Sequence, residues 1–102
     1  LLEFPMLATD SVLRGIVRHH HEHWDGSGYP DRLTREAIPI EARLFALVDV
    51  YDAMRFPRIY RPQSISSETI YEYLQEEAGK HFDPELTNQF LEIERWVGSL
   101  VA

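Results

Sequence analysis

The chain has no cysteine among its 102 residues. Disulfides and thiolate metal sites are thereby excluded, so any metal must be held by nitrogen and oxygen ligands, and an intracellular setting is favoured. Basic residues are also few: 10 Lys and Arg stand against 17 Asp and Glu, a formal charge of -7. Polyanions such as a nucleic-acid polymer or an anionic membrane call for clustered cations, so neither is expected as the main partner. A small anionic substrate remains compatible where metal ions and a few arginines reverse the potential locally. No apolar run approaches the roughly 20 residues of a membrane helix, and no signal-peptide pattern opens the chain. Stretches that alternate apolar and polar residues are missing too, which removes the signal for strands. The chain opens on Leu1 and not on Met, and is read as a piece of something longer.

What is present suits one small packed unit. Hydrophobic residues make up 44% and aromatics 12%, enough for a modest core and too many for a disordered chain. Spacing and punctuation predict an all-helical bundle of about four helices. After Thr9 and Asp10, either of which can cap, Leu13, Ile16, Val17, His20 and His21 recur at spacings of three and four, placing both histidines on an inward stripe. The segment 24-WDGSGYPD-31 then breaks the helix as a tight irregular loop. Pro39 opens a second helix through Ala42, Phe45, Ala46, Asp49 and Ala53, which Pro57 stops. Leu44, Leu47, Val48 and Tyr51 occupy its other side, so this helix is expected to be buried nearly all round, and Asp49 within it to need a partner or a metal.

Three arginines sit in 55-RFPRIYRPQ-63, a connecting loop of local positive charge. Ser66 is placed to cap a third helix, with Ile65 and Ile70 as a hydrophobic staple and Gly79 at its end. Asp83 and Pro84 open a fourth, with Leu86, Phe90, Ile93, Val97 and Leu100 at core spacing. There is no internal repeat.

Four of the five histidines lie between positions 19 and 23, beside Glu22 and Asp25. A tag remnant is the mundane reading, but the run sits inside a helical pattern and continues into a structured loop. Histidines satisfied by the core or by solvent are the other alternative. The string 20-HHEHWDGSGYP-30 carries all eight specified residues of the eleven-residue signature His-His-Glu-x-x-Asp-Gly-x-Gly-Tyr-Pro. On these residues the chain resembles the HD-GYP family. The resemblance extends to 48-VDVYDAM-54, 58-RIYR-61 and 79-GKHFDPEL-86, so it covers the chain from about residue 12 onward.

The resemblance implies the C-terminal part of an HD-superfamily helical domain, with residues 1–102 forming a partial HD-GYP domain. It implies a bacterial, cytoplasmic enzyme of signal transduction that hydrolyses cyclic di-GMP to pGpG and GMP with two or three divalent ions, iron or manganese before zinc. Carried across, His20, His21 and Asp49 become metal ligands and catalytic residues, with His19 and His23 outside the ligand set. Arg58 and Arg61 match positions that hold substrate phosphates, where a guanidinium fork donates paired hydrogen bonds; a solvated surface arginine is the alternative for each. Tyr29 and Gly28 belong to the loop over the substrate, though Tyr29 equally suits packing. Gly26 and Gly28 are expected to supply backbone angles closed to other residues. Glu22 and Asp25 are expected behind the ligands, accepting the other ring N–H of each imidazole, and Asp52 either does the same or caps the arginine loop. The family's His-Asp pair and the lysine after it are not in this sequence, so this segment alone is expected to bind metal weakly and to be inactive. Its usual Thr-Ser before the arginine loop is replaced by Arg55 and Phe56, which reshapes that loop. A rival reading is a degenerate interaction or sensing module that binds a partner, such as a diguanylate cyclase domain, without hydrolysis. A sensory or receiver domain of the response-regulator kind is expected at the N-terminal side of the parent protein, and a homodimer is compatible with either reading.

Overall fold

A computed structural model describes residues 11–57, 59 and 63–101. They form four α-helices: α1 (Ser11–His19), α2 (Ile40–Arg55), α3 (Ser67–Glu77) and α4 (Pro84–Val101), with one 3-10 turn at Arg35–Ala37. There is no strand among the described residues beyond an isolated bridge between Ala78 and Phe82. The expected all-helical class is what the chain adopts. Helix α2 packs against each of the other three, and α3 also meets α4.

The helices begin where the sequence marks them. Ser66 accepts the Thr69 N–H at 3.3 Å through its side-chain oxygen, and Ile65 packs against the core cluster to which Ile70 belongs. Asp83 caps α4 by accepting the Glu85 N–H at 2.9 Å and the Leu86 N–H at 3.2 Å on one carboxylate oxygen. Its other oxygen accepts Arg43 Nη1 of α2 at 2.6 Å, while Arg43 Nε donates to the Ile38 carbonyl at 2.8 Å. One buried carboxylate thus starts α4 and fixes it to α2. The core beside this contact is Leu47, Ile70, Leu74, Phe82 and Leu91, with Val50, Tyr51, Met54 and Phe90 packed around it.

Two expectations about burial fail. Helix α2 buries only Ala42, Ala46 and Leu47, whereas Leu44, Phe45 and Val48 are 46%, 41% and 41% exposed. The reason is that α3 and α4 cover one side, and the short α1, itself without a buried residue, leaves the other side partly open. On α4 the core spacing is honoured as far as Leu91, but Ile93, Val97 and Leu100 are exposed along with Trp96. Glu94 and Arg95 still reach Tyr51 and Tyr71, and the turns beyond them lie past the layer that α2 and α3 supply.

The substituted Arg55 also has a place. It donates to the Tyr51 hydroxyl at 2.8 Å and lies 3.7 Å from Glu94, and Tyr51 in turn donates to the Glu94 carboxylate. Arg55 is thereby committed to α4. Burial, and after it the Glu94 carboxylate, push the Tyr51 phenol up to about 12.

Two outcomes are expected. Asp83→Ala removes a cap and strands the Arg43 charge, and should lower the unfolding free energy by about 3 kcal/mol, against about 1 kcal/mol for Ser66→Ala, in denaturant titrations. Because the Tyr51 pKa is higher folded than unfolded, its contribution is complete below about pH 10 and is lost as pH rises towards 12. Tyr51→Phe should flatten stability over that window and remove a late tyrosine ionisation from the absorbance near 295 nm.

Candidate metal centre and its loop

Helix α1 stops at His19, and the turn that follows decides where the histidines go. The His20 N–H still donates to the Ile16 carbonyl at 3.0 Å, and the Glu22 N–H then turns back to the His19 carbonyl at 3.0 Å. His20 is half-buried, whereas His21 is swung outward and exposed, contrary to the inward stripe expected for both. The helix ends two residues short of His21. His20 Nδ1 lies 2.7 Å from the Ile16 carbonyl oxygen. A carbonyl only accepts, so Nδ1 carries the proton and the Nε2 lone pair is left free for a ligand. The His20 ring meets His21 at 4.0 Å between centroids and the edge of Phe45 at 5.4 Å. Tyr29 stacks on His21 at 5.0 Å and 18°.

The loop returns onto the residues it left. A Cβ at Gly28 would sit 2.4 Å from both the His21 oxygen and the His23 nitrogen, so no side chain fits there. Close approach, and not a special angle, therefore explains this glycine, while Gly26 does adopt a φ of +88°. The Tyr29 N–H donates to the His21 carbonyl at 3.2 Å. Asp25 accepts the Ser27 N–H at 2.9 Å and its hydroxyl at 2.6 Å, bonds that hold the Asp25 carboxyl below its usual range. Asp25 thus turns the loop and does not orient His20 or His21. The N–H groups of Trp24 and Asp25 donate to the carbonyls of His81 and Lys80 at 3.1 and 2.9 Å, tying the loop to the α3–α4 connection. His23 stacks on His81 at 3.9 Å. Burial first, then the neighbouring His23, push His81 down to about 4.

Glu22 is 2% exposed. Its carboxylate accepts the N–H of Asp31 at 2.9 Å and of Leu33 at 3.0 Å, and lies 3.3 Å from His19 Nδ1. Asp31 receives both Nε and Nη2 of Arg18, at 2.9 and 2.8 Å, and is held well below the usual carboxylate range by that contact. The donor atoms of His19, Glu22 and Asp31 lie within 4.8 Å of one another, and among the described residues this is the set of three so arranged. His20, His21 and Asp49 do not form such a set. Asp49 is exposed on α2, a correction to its expected burial, because it lies on the side away from α3 and α4. Asp52 is also exposed, and its carbonyl accepts the Phe56 N–H at 3.2 Å. Arg58 and Arg61 lie outside the described residues. Sequence reasoning missed Arg18, His19 and Asp31 as a group; the His19–Glu22 spacing of three was the only local signal for it.

The family model for the HD domain matches residues 3–86. The chain belongs to this family. Within it, the HD-GYP signature stands at residues 20–30. A cyclic di-GMP phosphodiesterase of Vibrio cholerae is 45% identical over 91 residues, covering 86% of this chain and 18% of that protein. A 3'3'-cGAMP-specific phosphodiesterase 2 of the same organism is 44% identical over 81 residues, 79% of this chain and 15% of that protein. A crystal structure of a cyclic GMP-AMP-specific phosphodiesterase of Vibrio cholerae superposes with a TM-score of 0.70 at 27% identity, covering 94% of this chain and 22% of that one. The chain thus spans about a fifth of the length of the relatives it matches. Among the described residues, no helix of this HD-GYP segment is long and apolar enough to cross a membrane.

In this HD-GYP segment Gly28→Ala should force the loop off the His21–His23 backbone, costing about 1–3 kcal/mol in denaturation and abolishing the Tyr29–His21 ring contact in nuclear Overhauser spectra.

Proposed function

We propose that this segment is part of the catalytic domain of a metal-dependent phosphodiesterase that opens a cyclic dinucleotide, cyclic di-GMP first among them, to pGpG and then GMP. The observation that carries this reading is the adjoining imidazole pair at the end of α1, with His20 tied through Nδ1 to the Ile16 carbonyl and its other nitrogen free. A ligating histidine needs this arrangement, since the bonded nitrogen fixes the tautomer and aims the ring. The donor chemistry of the pair fits iron, manganese or zinc in an all-nitrogen-and-oxygen site.

His20 and His21 hold the metal in this reading, and Asp49 of α2, whose carboxylate does not gather with both imidazoles within 4.8 Å here, is the proposed third ligand once an ion draws them together. When bound, two or three divalent ions supply a hydroxide at neutral pH and stabilise charge on the phosphoryl oxygens. Tyr29, 59% exposed and stacked on His21, keeps one ring face turned outward for a nucleobase. Arg58 and Arg61 take the phosphates. The relatives' names divide between cyclic di-GMP and cGAMP, and both are substrates to be measured. The site works in the bacterial cytoplasm, within a longer protein that supplies further ligands. The exposed Tyr29 also favours a second reading, in which this loop binds a protein partner such as a diguanylate cyclase domain without hydrolysis.

In the full-length protein, His21→Ala should reduce hydrolysis of cyclic di-GMP and of 3'3'-cGAMP by at least about 100-fold and lower the bound iron or manganese, since a ligand matters more than its outer partners. Unchanged hydrolysis would remove His21 from the metal site, and a wild type that opens neither dinucleotide would rule out the enzymatic reading. Partner binding that His21→Ala leaves unchanged, with hydrolysis absent from the wild type, would establish the second.

A further inference from the structure

Glu22 stands inside the signature next to two proposed ligands, and is the most deeply buried carboxylate of the site, yet its hydrogen bonds run elsewhere. They reach the main chain of Asp31 and Leu33 and the ring of His19. We infer that Glu22 is a positioning residue for His21: its carboxylate clamps the returning half of the loop, and the clamped loop holds the Tyr29 ring against the His21 imidazole.

Each link is local. Asp31 lies two residues after Tyr29, so fixing its N–H fixes where the Tyr29–Pro30 pair leaves the loop. On the other side, Gly28 lies against the His21–His23 backbone and the Tyr29 N–H is bonded to the His21 carbonyl. Tyr29 is therefore held from both ends over His21. The clamp is reinforced outside by the Arg18 fork on Asp31. A cation seated among His19, Glu22 and Asp31 is the competing use of the same atoms. It is disfavoured because Glu22 is already committed to two loop N–H groups. Both Asp31 oxygens are engaged by Arg18. Drawing Glu22 onto an ion would strand two loop N–H groups beside a buried side chain.

The inference deepens the proposed metal-binding reading and rests on it only for the metal arm of its test. Two-dimensional proton–carbon NMR of the His21 ring is compared among wild type, Glu22→Gln, Tyr29→Ala and the double variant, alongside Mn2+ titration by calorimetry. The Gln variant keeps the shape but turns an NH2 towards one of the two donors. Tyr29→Ala should remove the ring-current shift of His21, and Glu22→Gln should remove most of it. Each should weaken Mn2+ binding by about 10- to 100-fold at unchanged stoichiometry, and the double variant should be no worse than either single one. An unchanged His21 shift in a folded Glu22→Gln overturns the inference. So does the loss of one bound ion with the His21 shift intact, which would make Glu22 a ligand. A second measurement needs no substitution: the Asp31 and Leu33 amides should exchange at least about 10-fold more slowly than the Arg32 amide between them, and equal rates would remove the clamp. Should the full-length wild type, in which the Mn2+ titrations are made, bind no Mn2+, the metal-binding reading falls, while the ring shifts and amide exchange still decide the role of Glu22.

Discussion

A loop that leaves α1 and folds back onto its own first residues sets most of what surrounds the site. At Gly28 the returning backbone comes so near to His21 and His23 that a Cβ would overlap them at 2.4 Å. Once main chain is pressed against main chain in this way, water has little room there, and the buried N–H groups need acceptors built into the protein. The His21 carbonyl serves Tyr29, the Trp24 carbonyl serves Arg35, and Glu22 serves Asp31 and Leu33. A charged residue inside the domain is thus explained by the backbone it satisfies. Three acceptors closing one short loop leave Tyr29 little freedom except to lie on His21.

The helices were legible because their signals are local. Ser66 with its staple and Asp83 ahead of Pro84 each act within four residues, and the structure uses both as caps. The signature at 20–30 was legible for the same reason, being contiguous. Burial was not. Periodicity says that Leu44 and Val48 share a face of α2, but whether a neighbour covers that face is decided by elements far away in sequence, and here it stays open. Asp49, expected inside on the same argument, is outside for the same cause. The partners of Glu22 were illegible in a different way, since main-chain donors have no side chain to betray them.

A single segment references the two halves of the proposed site to one another. The loop that carries Tyr29 hangs on the carbonyls of Lys80 and His81, and His23 stacks on the His81 ring. Two residues later Asp83 holds Arg43, and through it the helix on which Asp49 lies six residues on. His20 adds a direct contact through the edge of Phe45. The connection between α3 and α4 carries no residue of the proposed ligand set, yet the histidine loop and the Asp49 helix both take their position from it. Its packing is correspondingly firm, with Phe82 1% and Asp83 6% exposed. Shifts of this connection would move the histidine loop and the Asp49 helix together, so the separation between them is governed less by the connection than by α1 and its turn, where His20 is bonded back to Ile16.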